Sequence, residues 1–335
     1  MSSTSFTDLK PYIKVQDAKL SEGITYFNNE LFWVDIFESK IFKLTDINDI
    51  STLQTFDINH TTYSKNAKYP YDAIKYGESA SVIFPADENT ILFGSRFGIG
   101  KLDYASKEWE YIATYDQCTE LSPERCSRLR SNDGNVSPCG KYIYIGLMDT
   151  FEVPLTEEGC ILKYDLSAKE FTMVYESITI PNSIHFKANT EGVIYFTDSL
   201  GFAIWEYDEK TGKKRKAIDI MAPAHNNTQF ESPEPDGCVV DYENNLLITS
   251  LWSTSKIQSY DLGTGELVNE YILPVPRISC CCAYGPDLFV TTANLNIDND
   301  RHDKFDLDPV GGSIYKLPNV IPNGKLKNSK ATPLY

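Results

Sequence analysis

The sequence predicts an all-β chain folded as a six-bladed β-propeller, and three observations carry that prediction. One pattern recurs six times: a short apolar strand, a small polar turn, a second strand, then an aromatic residue or leucine beside an acid or lysine. The recurrences begin roughly 40 to 60 residues apart, the period of a four-stranded propeller blade. Aromatic residues make up 13 % of the 335-residue chain, and long helical periodicity is nearly absent.

The repeats follow in order. The first is LFWVDIFESKIFKLTD at 31–46 and the second ILFGSRFGIGKLD at 91–103. The third spans 142–165 and ends CILKYD, and the fourth is IYFTDSLGFAIWEYD at 194–208. The fifth is LLITSLWSTSKIQSYD at 246–261, and the sixth spans 288–317 and ends GSIYKL. Turn chemistry separates the strands, as in DEKTG at 208–212 and DLGTG at 261–265. The segment Tyr12–Lys19 reads as a further strand that pairs with the last blade, closes the ring and removes a sheet edge. Three intervals exceed an ordinary connection, at 51–76, 115–129 and 218–234. They read as surface excursions or parts of a lid, and the first carries Tyr63, Tyr69, Tyr71 and Tyr76. The acidic run 296–303 reads as an insertion in blade six. No linker interrupts the rhythm, so residues 1–335 form one domain, with two separate β domains as the alternative.

Composition narrows the partners. With 31 basic and 47 acidic side chains the formal charge is −16, which repels phosphate backbones and argues against nucleic acid. The same excess of carboxylates suits a bound cation. The eight cysteines show no paired spacing, and Cys280, Cys281 and Cys282 are consecutive. On a strand, neighbours face opposite sides, so these read as reduced core residues rather than a disulfide frame. No apolar run reaches membrane-spanning length, and Met1–Lys10 lacks the apolar core of a signal peptide. The expectation is a soluble cytoplasmic protein, a monomer or weak oligomer. Lys213–Lys216 reads as a solvated hairpin, with a nuclear address the less favoured reading.

Candidate site residues emerge when the repeats are aligned. In PEPDGCVVDYENNLLI (233–248), Asp236 precedes a strand, and Pro233 and Pro235 withdraw the donors a tight hairpin needs. Equivalent points upstream of other central strands hold Glu22 in blade one, Asn132 in blade three and Asn182 in blade four. The innermost strands of a propeller line its central channel, so these four side chains meet at one mouth. Two carboxylates and two amides are hard oxygen donors, suited to one divalent cation (calcium, zinc, manganese or magnesium). For each residue alone, a turn role is the competing reading. Blades two and six depart, with Ser79 and the Ser279–Cys280 pair at the comparable point. Arg130 lies two residues before Asn132 and reads either as a grip on substrate or as an ion pair with one of many acids. His185, three residues after Asn182, should face the opposite side of its strand.

The stretches LSEGITYFNNELFWVDIFESKIFKL, RSNDGNVSPCGKYIYIGLM, IPNSIHF and PDGCVVDYENNLLITSLW resemble the gluconolactonase, senescence-marker-protein (regucalcin) and luciferin-regenerating-enzyme family, in consistent order from residue 20 to about 317. The resemblance implies one divalent metal at the channel mouth held by Glu22, Asn182 and Asp236. It implies substrate contact through Arg130 and Asn132, which moves Asn132 away from the metal. Family acids after a G-T-M triplet correspond here to Gly146–Glu152, which places substrate contact on Asp149 and Thr150. The implied activity is metal-dependent opening of a small lactone, such as a sugar-acid lactone, with Asp236 also the catalytic base. The alternatives are a non-catalytic calcium- or partner-binding propeller, and a related metal-dependent esterase or organophosphate hydrolase.

Overall fold

The computed structural model describes residues 2–59, 77–297, 311–321 and 333. The Tyr-rich stretch after residue 59 and most of the acidic run 296–303 lie outside these residues. Strand β1 (Ser2–Ser5) precedes six antiparallel sheets. Blade one holds β2 (Ser21–Phe27), β3 (Glu30–Asp35), β4 (Lys40–Leu44) and β5 (Leu53–Asp57); blade two holds β6 (Ala80–Pro85), β7 (Thr90–Ser95), β8 (Gly98–Asp103) and β9 (Trp109–Thr114). Blade three holds β10 (Leu129–Val136), β11 (Tyr142–Asp149), β12 (Gly159–Asp165) and β13 (Glu170–Ile178). Blade four holds β14 (Pro181–Phe186), β15 (Val193–Asp198), β16 (Ala203–Asp208) and β17 (Lys213–Asp219). Blade five holds β18 (Pro235–Asp241), β19 (Leu246–Leu251), β20 (Lys256–Asp261) and β21 (Leu267–Ile272); blade six holds β22 (Ile278–Tyr284), β23 (Asp287–Thr292) and β24 (Ile314–Leu317).

The first strand of each blade packs against the first strand of the next, and β22 returns to β2, so the six sheets close a ring. Each sheet is apolar on both faces at its inner end, and the core lies between neighbouring blades. Val82, Phe84 and Ile99 of blade two meet Leu129, Val136 and Ile145 of blade three, all buried. Each such side chain contributes about 1.5–3 kcal/mol when fully removed from water. The cysteine run shows the geometry directly. Cys280 and Cys282 pack toward blade one beside Ile24 and Trp33, whereas Cys281 packs toward blade five beside Val239 and Ile248. All eight cysteines are free thiols, and Cys139 departs from the expectation of burial by being exposed.

The N-terminal closure differs from the expected strand over Tyr12–Lys19. That segment makes a single antiparallel bridge, Ile13 to Ile314, with Ile13 N donating to Ile314 O at 3.1 Å and accepting at its own carbonyl from Ile314 N at 2.9 Å. Pro11 can donate no ladder hydrogen bond, and Asp17 turns back with positive φ, so neither side of Ile13 propagates a ladder. The N-terminal strand proper, β1, pairs in parallel with the outer edge of blade five. Two of the long intervals also differ from plain surface loops. Residues 115–129 contain helix α1 (Pro123–Arg128), whose Ser122 cap accepts from Arg125 N at 3.2 Å, and they bury Tyr115, Cys118, Leu121 and Cys126. The interval 218–234 buries Ile220, His225 and Asn227, and the Asn227 amide donates to Ile220 O at 3.1 Å. Lys213–Lys216 stand on β17, the outer strand of blade four, where Arg215 pairs with Glu206 and Lys214 lies 4.1 Å over the Trp205 ring. Charge along an outer strand discourages edge-to-edge pairing. Among the described residues no helix is long and apolar enough to cross a membrane.

Candidate metal centre and channel mouth

Every innermost strand starts at the same end of the channel, and every one breaks its ladder register within its first residues. The breaks fall between Glu22 and Thr25, Ala80 and Val82, Ser131 and Gly134, Asn182 and Ile184, Pro235 and Cys238, and Ile278 and Cys281. A bulge adds a residue to one strand, bends it and re-aims its side chains. Four of these breaks hold a side-chain oxygen in the grip of the next residue's amide. Gly23 N donates to Glu22 Oε2 at 2.8 Å, and Gly134 N to Asp133 Oδ1 at 2.7 Å. Ser183 N donates to Asn182 Oδ1 at 2.9 Å, and Gly237 N to Asp236 Oδ1 at 3.0 Å.

Asp236 lies at the centre. It is 9 % exposed, and the Asn182 amide donates to its Oδ1 at 2.5 Å. Burial raises its pKa well above the ordinary value of 3.8; the Glu22, Glu234 and Asp133 charges add to that, and the Asn182 hydrogen bond opposes it. Burial likewise raises Glu234, against the pull of Ser232 and Arg277. Glu22 is 9 % exposed and Asn182 6 %. Two carboxylates and an amide therefore share one confined mouth, and a divalent cation would neutralise the two charges and relieve their repulsion. The donors fit a hard cation. Among the described residues no group of three His, Cys, Asp or Glu side chains gathers at ligand spacing, so a bound ion would need the amide as well.

The other predicted residues divide. Asn132 lies in the blade-three break, half-buried, and its amide donates to Pro181 O at 3.2 Å. Arg130 is buried, with Nη1 donating to Ser131 O at 2.7 Å and Nη2 to Met148 Sδ at 3.4 Å. Burial and the neighbouring Arg96 push its pKa down to about 10, opposed by Glu152 and Glu22. Asp149 does not offer its oxygens to the mouth. Its Oδ1 accepts from Arg128 Nη2 at 2.9 Å, and its Oδ2 from Thr156 N at 2.6 Å and Thr156 Oγ1 at 2.7 Å. This clamp folds the loop after β11. Thr150 is buried in the same loop, and its hydroxyl holds Glu152.

Two positions depart from the register that the repeat predicts. The blade-three partner of Glu22 and Asp236 in the repeat is Asp133, not Asn132, and the available signal was the acid–glycine pair shared by Glu22–Gly23, Asp133–Gly134 and Asp236–Gly237. In blade two the break falls on Ser81, whose hydroxyl lies 2.6 Å from that of Ser131, rather than on Ser79. His185 was expected to face away from Asn182. It lines the channel below it, with Nε2 3.0 Å from Cys238 O, because the extra residue between Asn182 and Ile184 reverses the alternation.

The family model for the SMP-30/gluconolactonase/LRE-like region matches residues 20–294. The chain belongs to that family. Within it, the chain is 45 % identical to an uncharacterized protein of Saccharomyces cerevisiae, over 98 % of this chain and 96 % of the relative. It is 30 % identical to the cell growth-regulated gene 1 protein of Candida albicans, over 92 % of this chain and 93 % of that one. The fold is similar to that of a calcium-binding protein, regucalcin, from Agrobacterium tumefaciens, with a TM-score of 0.72 at 21 % identity over 100 % of this chain and 99 % of that chain. The six-bladed propeller is thus the SMP-30/gluconolactonase/LRE-like fold.

Proposed function

We propose that this SMP-30/gluconolactonase/LRE-like protein is a metal-dependent hydrolase that opens a small lactone. The carrying observation is the convergence of Glu22, Asn182 and Asp236, from three different blades, on one buried mouth, with Asp236 and Asn182 2.5 Å apart. These three would hold one divalent cation. When bound, it supplies Lewis acidity toward a lactone carbonyl and positive charge for the developing oxyanion. Both hydrogen bonds to Asp236 fall on Oδ1, so the carboxylate is fixed in orientation while Oδ2 is available to take the proton of an attacking water. Asn132, half-buried beside the acids, orients the substrate; Arg130 backs the mouth with a buried positive charge. The hydrolysed product is the open hydroxy acid.

The propeller of Agrobacterium tumefaciens described as calcium-binding favours a second reading, a calcium-binding propeller without catalysis, built on the same three ligands. One experiment separates the two. Chelator-treated protein should hydrolyse no lactone, and adding back calcium, zinc, manganese or magnesium in turn should restore activity with at least one of them. Asp236→Asn should lower kcat by about 100-fold or more, the range of a lost general base, while the variant melts cooperatively. Activity surviving chelation would refute the metal-dependent reading, and cation binding without hydrolysis of any lactone would favour the second.

A further inference from the structure

Because the innermost strands start at the mouth, the second strand of each blade ends there, and the loop that follows it forms the rim. The same rim position carries a large apolar side chain on consecutive blades. Phe37, Phe97, Phe151 and Leu200 come two residues after the ends of β3, β7, β11 and β15, and Trp252 comes one residue after the end of β19. Phe151 is 42 % exposed and Leu200 36 %, so these two turn their faces to water; Phe37 and Trp252 are half-buried, and Phe97, at 3 %, belongs to the core. The Phe151 ring stacks on Phe37 with centroids 4.3 Å apart and covers the Arg130 guanidinium at 4.1 Å. Arg130 sends its hydrogen bonds to Ser131 O, Met148 Sδ and the Asn132 side chain, and the Phe151 face lies over its guanidinium.

Among the described residues, the two acids of the loop that carries Phe151 are held by neighbours. Asp149 is held by Arg128 and Thr156. Burial pushes Glu152 up, but the Thr150 hydroxyl and Arg96 hold it below its ordinary value, and Arg96 Nη1 lies 3.2 Å from it. A polyhydroxylated ring entering here would trade water for phenyl faces and leave its buried hydroxyls unpaired. An alkyl or aryl group would gain contact with the same faces.

We infer that the lactone taken by this site carries an apolar alkyl or aryl substituent rather than a sugar's hydroxyls, and that Phe151 selects for it. This rests on the lactonase reading above and adds its substrate class. Phe151 is a specificity-determining residue that contacts the substituent; the reacting carbonyl lies at the acids.

The test compares gluconolactone, γ-nonalactone and dihydrocoumarin with full-length protein loaded with each of the four cations. The expected result is a kcat/KM for γ-nonalactone or dihydrocoumarin at least about tenfold above that for gluconolactone, the discrimination a small apolar contact supplies. Phe151→Ser should narrow that ratio mainly by raising KM for the apolar substrates, and Phe151→Leu should restore most of it. A wild-type preference for gluconolactone, or an equal effect of Phe151→Ser on both substrate types, would overturn the specificity inference while leaving lactone hydrolysis standing. Hydrolysis of none of the three with any cation would overturn the lactonase reading and this inference together.

Discussion

Asp236 is where the chemistry of a single residue can be tested most directly. Its folded-state pKa is raised, by burial first and by Glu22 next. In cation-free protein the folded state then keeps a proton that the unfolded chain has already lost. The sign follows from linkage: the contribution of Asp236 to stability is greatest below the ordinary Asp value of 3.8 and is lost as pH rises from there through the folded pKa. Over that window the melting temperature of chelated wild type should fall relative to that of Asp236→Asn, whose lack of this carboxyl removes the dependence. A saturating divalent cation should also remove it, since it binds the ionised, folded form and stabilises it by mass action. A chelated wild type as pH-insensitive as the variant would show that the Asp236 carboxyl is not perturbed. At this scale the sequence was legible for Glu22, Asn182 and Asp236, because an acid or amide before a strand recurs in register. Asp149 was not legible, since nothing local announces that Arg128 and Thr156 will claim both of its oxygens.

At the scale of the element, the bulge at the start of each innermost strand governs where side chains point. Alternation along a strand is a local rule, and one inserted residue reverses it, which is why His185 came to line the channel. Gly237 illustrates the packing that accompanies the bulge. Its φ is not positive, so it was not chosen to bend the backbone; a Cβ there would lie 2.6 Å from Cys280 Cα on the neighbouring strand. Gly237→Ala should therefore destabilise the protein by about 1–3 kcal/mol, the usual cost of overpacking, measured by denaturant unfolding. It should also weaken cation affinity by displacing Asp236. A neutral Gly237→Ala would show that the inner strands separate easily. The need for close approach was not visible in the sequence, because Cys280 lies 43 residues away along the chain and meets Gly237 only where blades five and six pack together.

The whole molecule is a ring, closed where β22 packs against β2 and buttressed there by Ile13. Ile13 is 3 % exposed and packs with Ile24, Trp33, Phe289 and Ile314 where blade six meets blade one. Ile13→Ala should cost about 2–5 kcal/mol in unfolding free energy. Deleting residues 2–5, the exposed β1 on the outer edge of blade five, should cost far less. Equal losses from the two changes would mean that β1 contributes as much to stability as the packing of Ile13. By itself the sequence determined the propeller architecture, the approximate span of its blades and three side chains of the candidate metal centre, because strand alternation, turn residues and a repeat period are local and recur. Only the tertiary structure decided which oxygens face the mouth, which acids are consumed by neighbouring cations, and that Phe37 and Phe151 meet over Arg130. Those outcomes depend on bulge position and on contacts between blades far apart in the chain, and no short-range pattern encodes either.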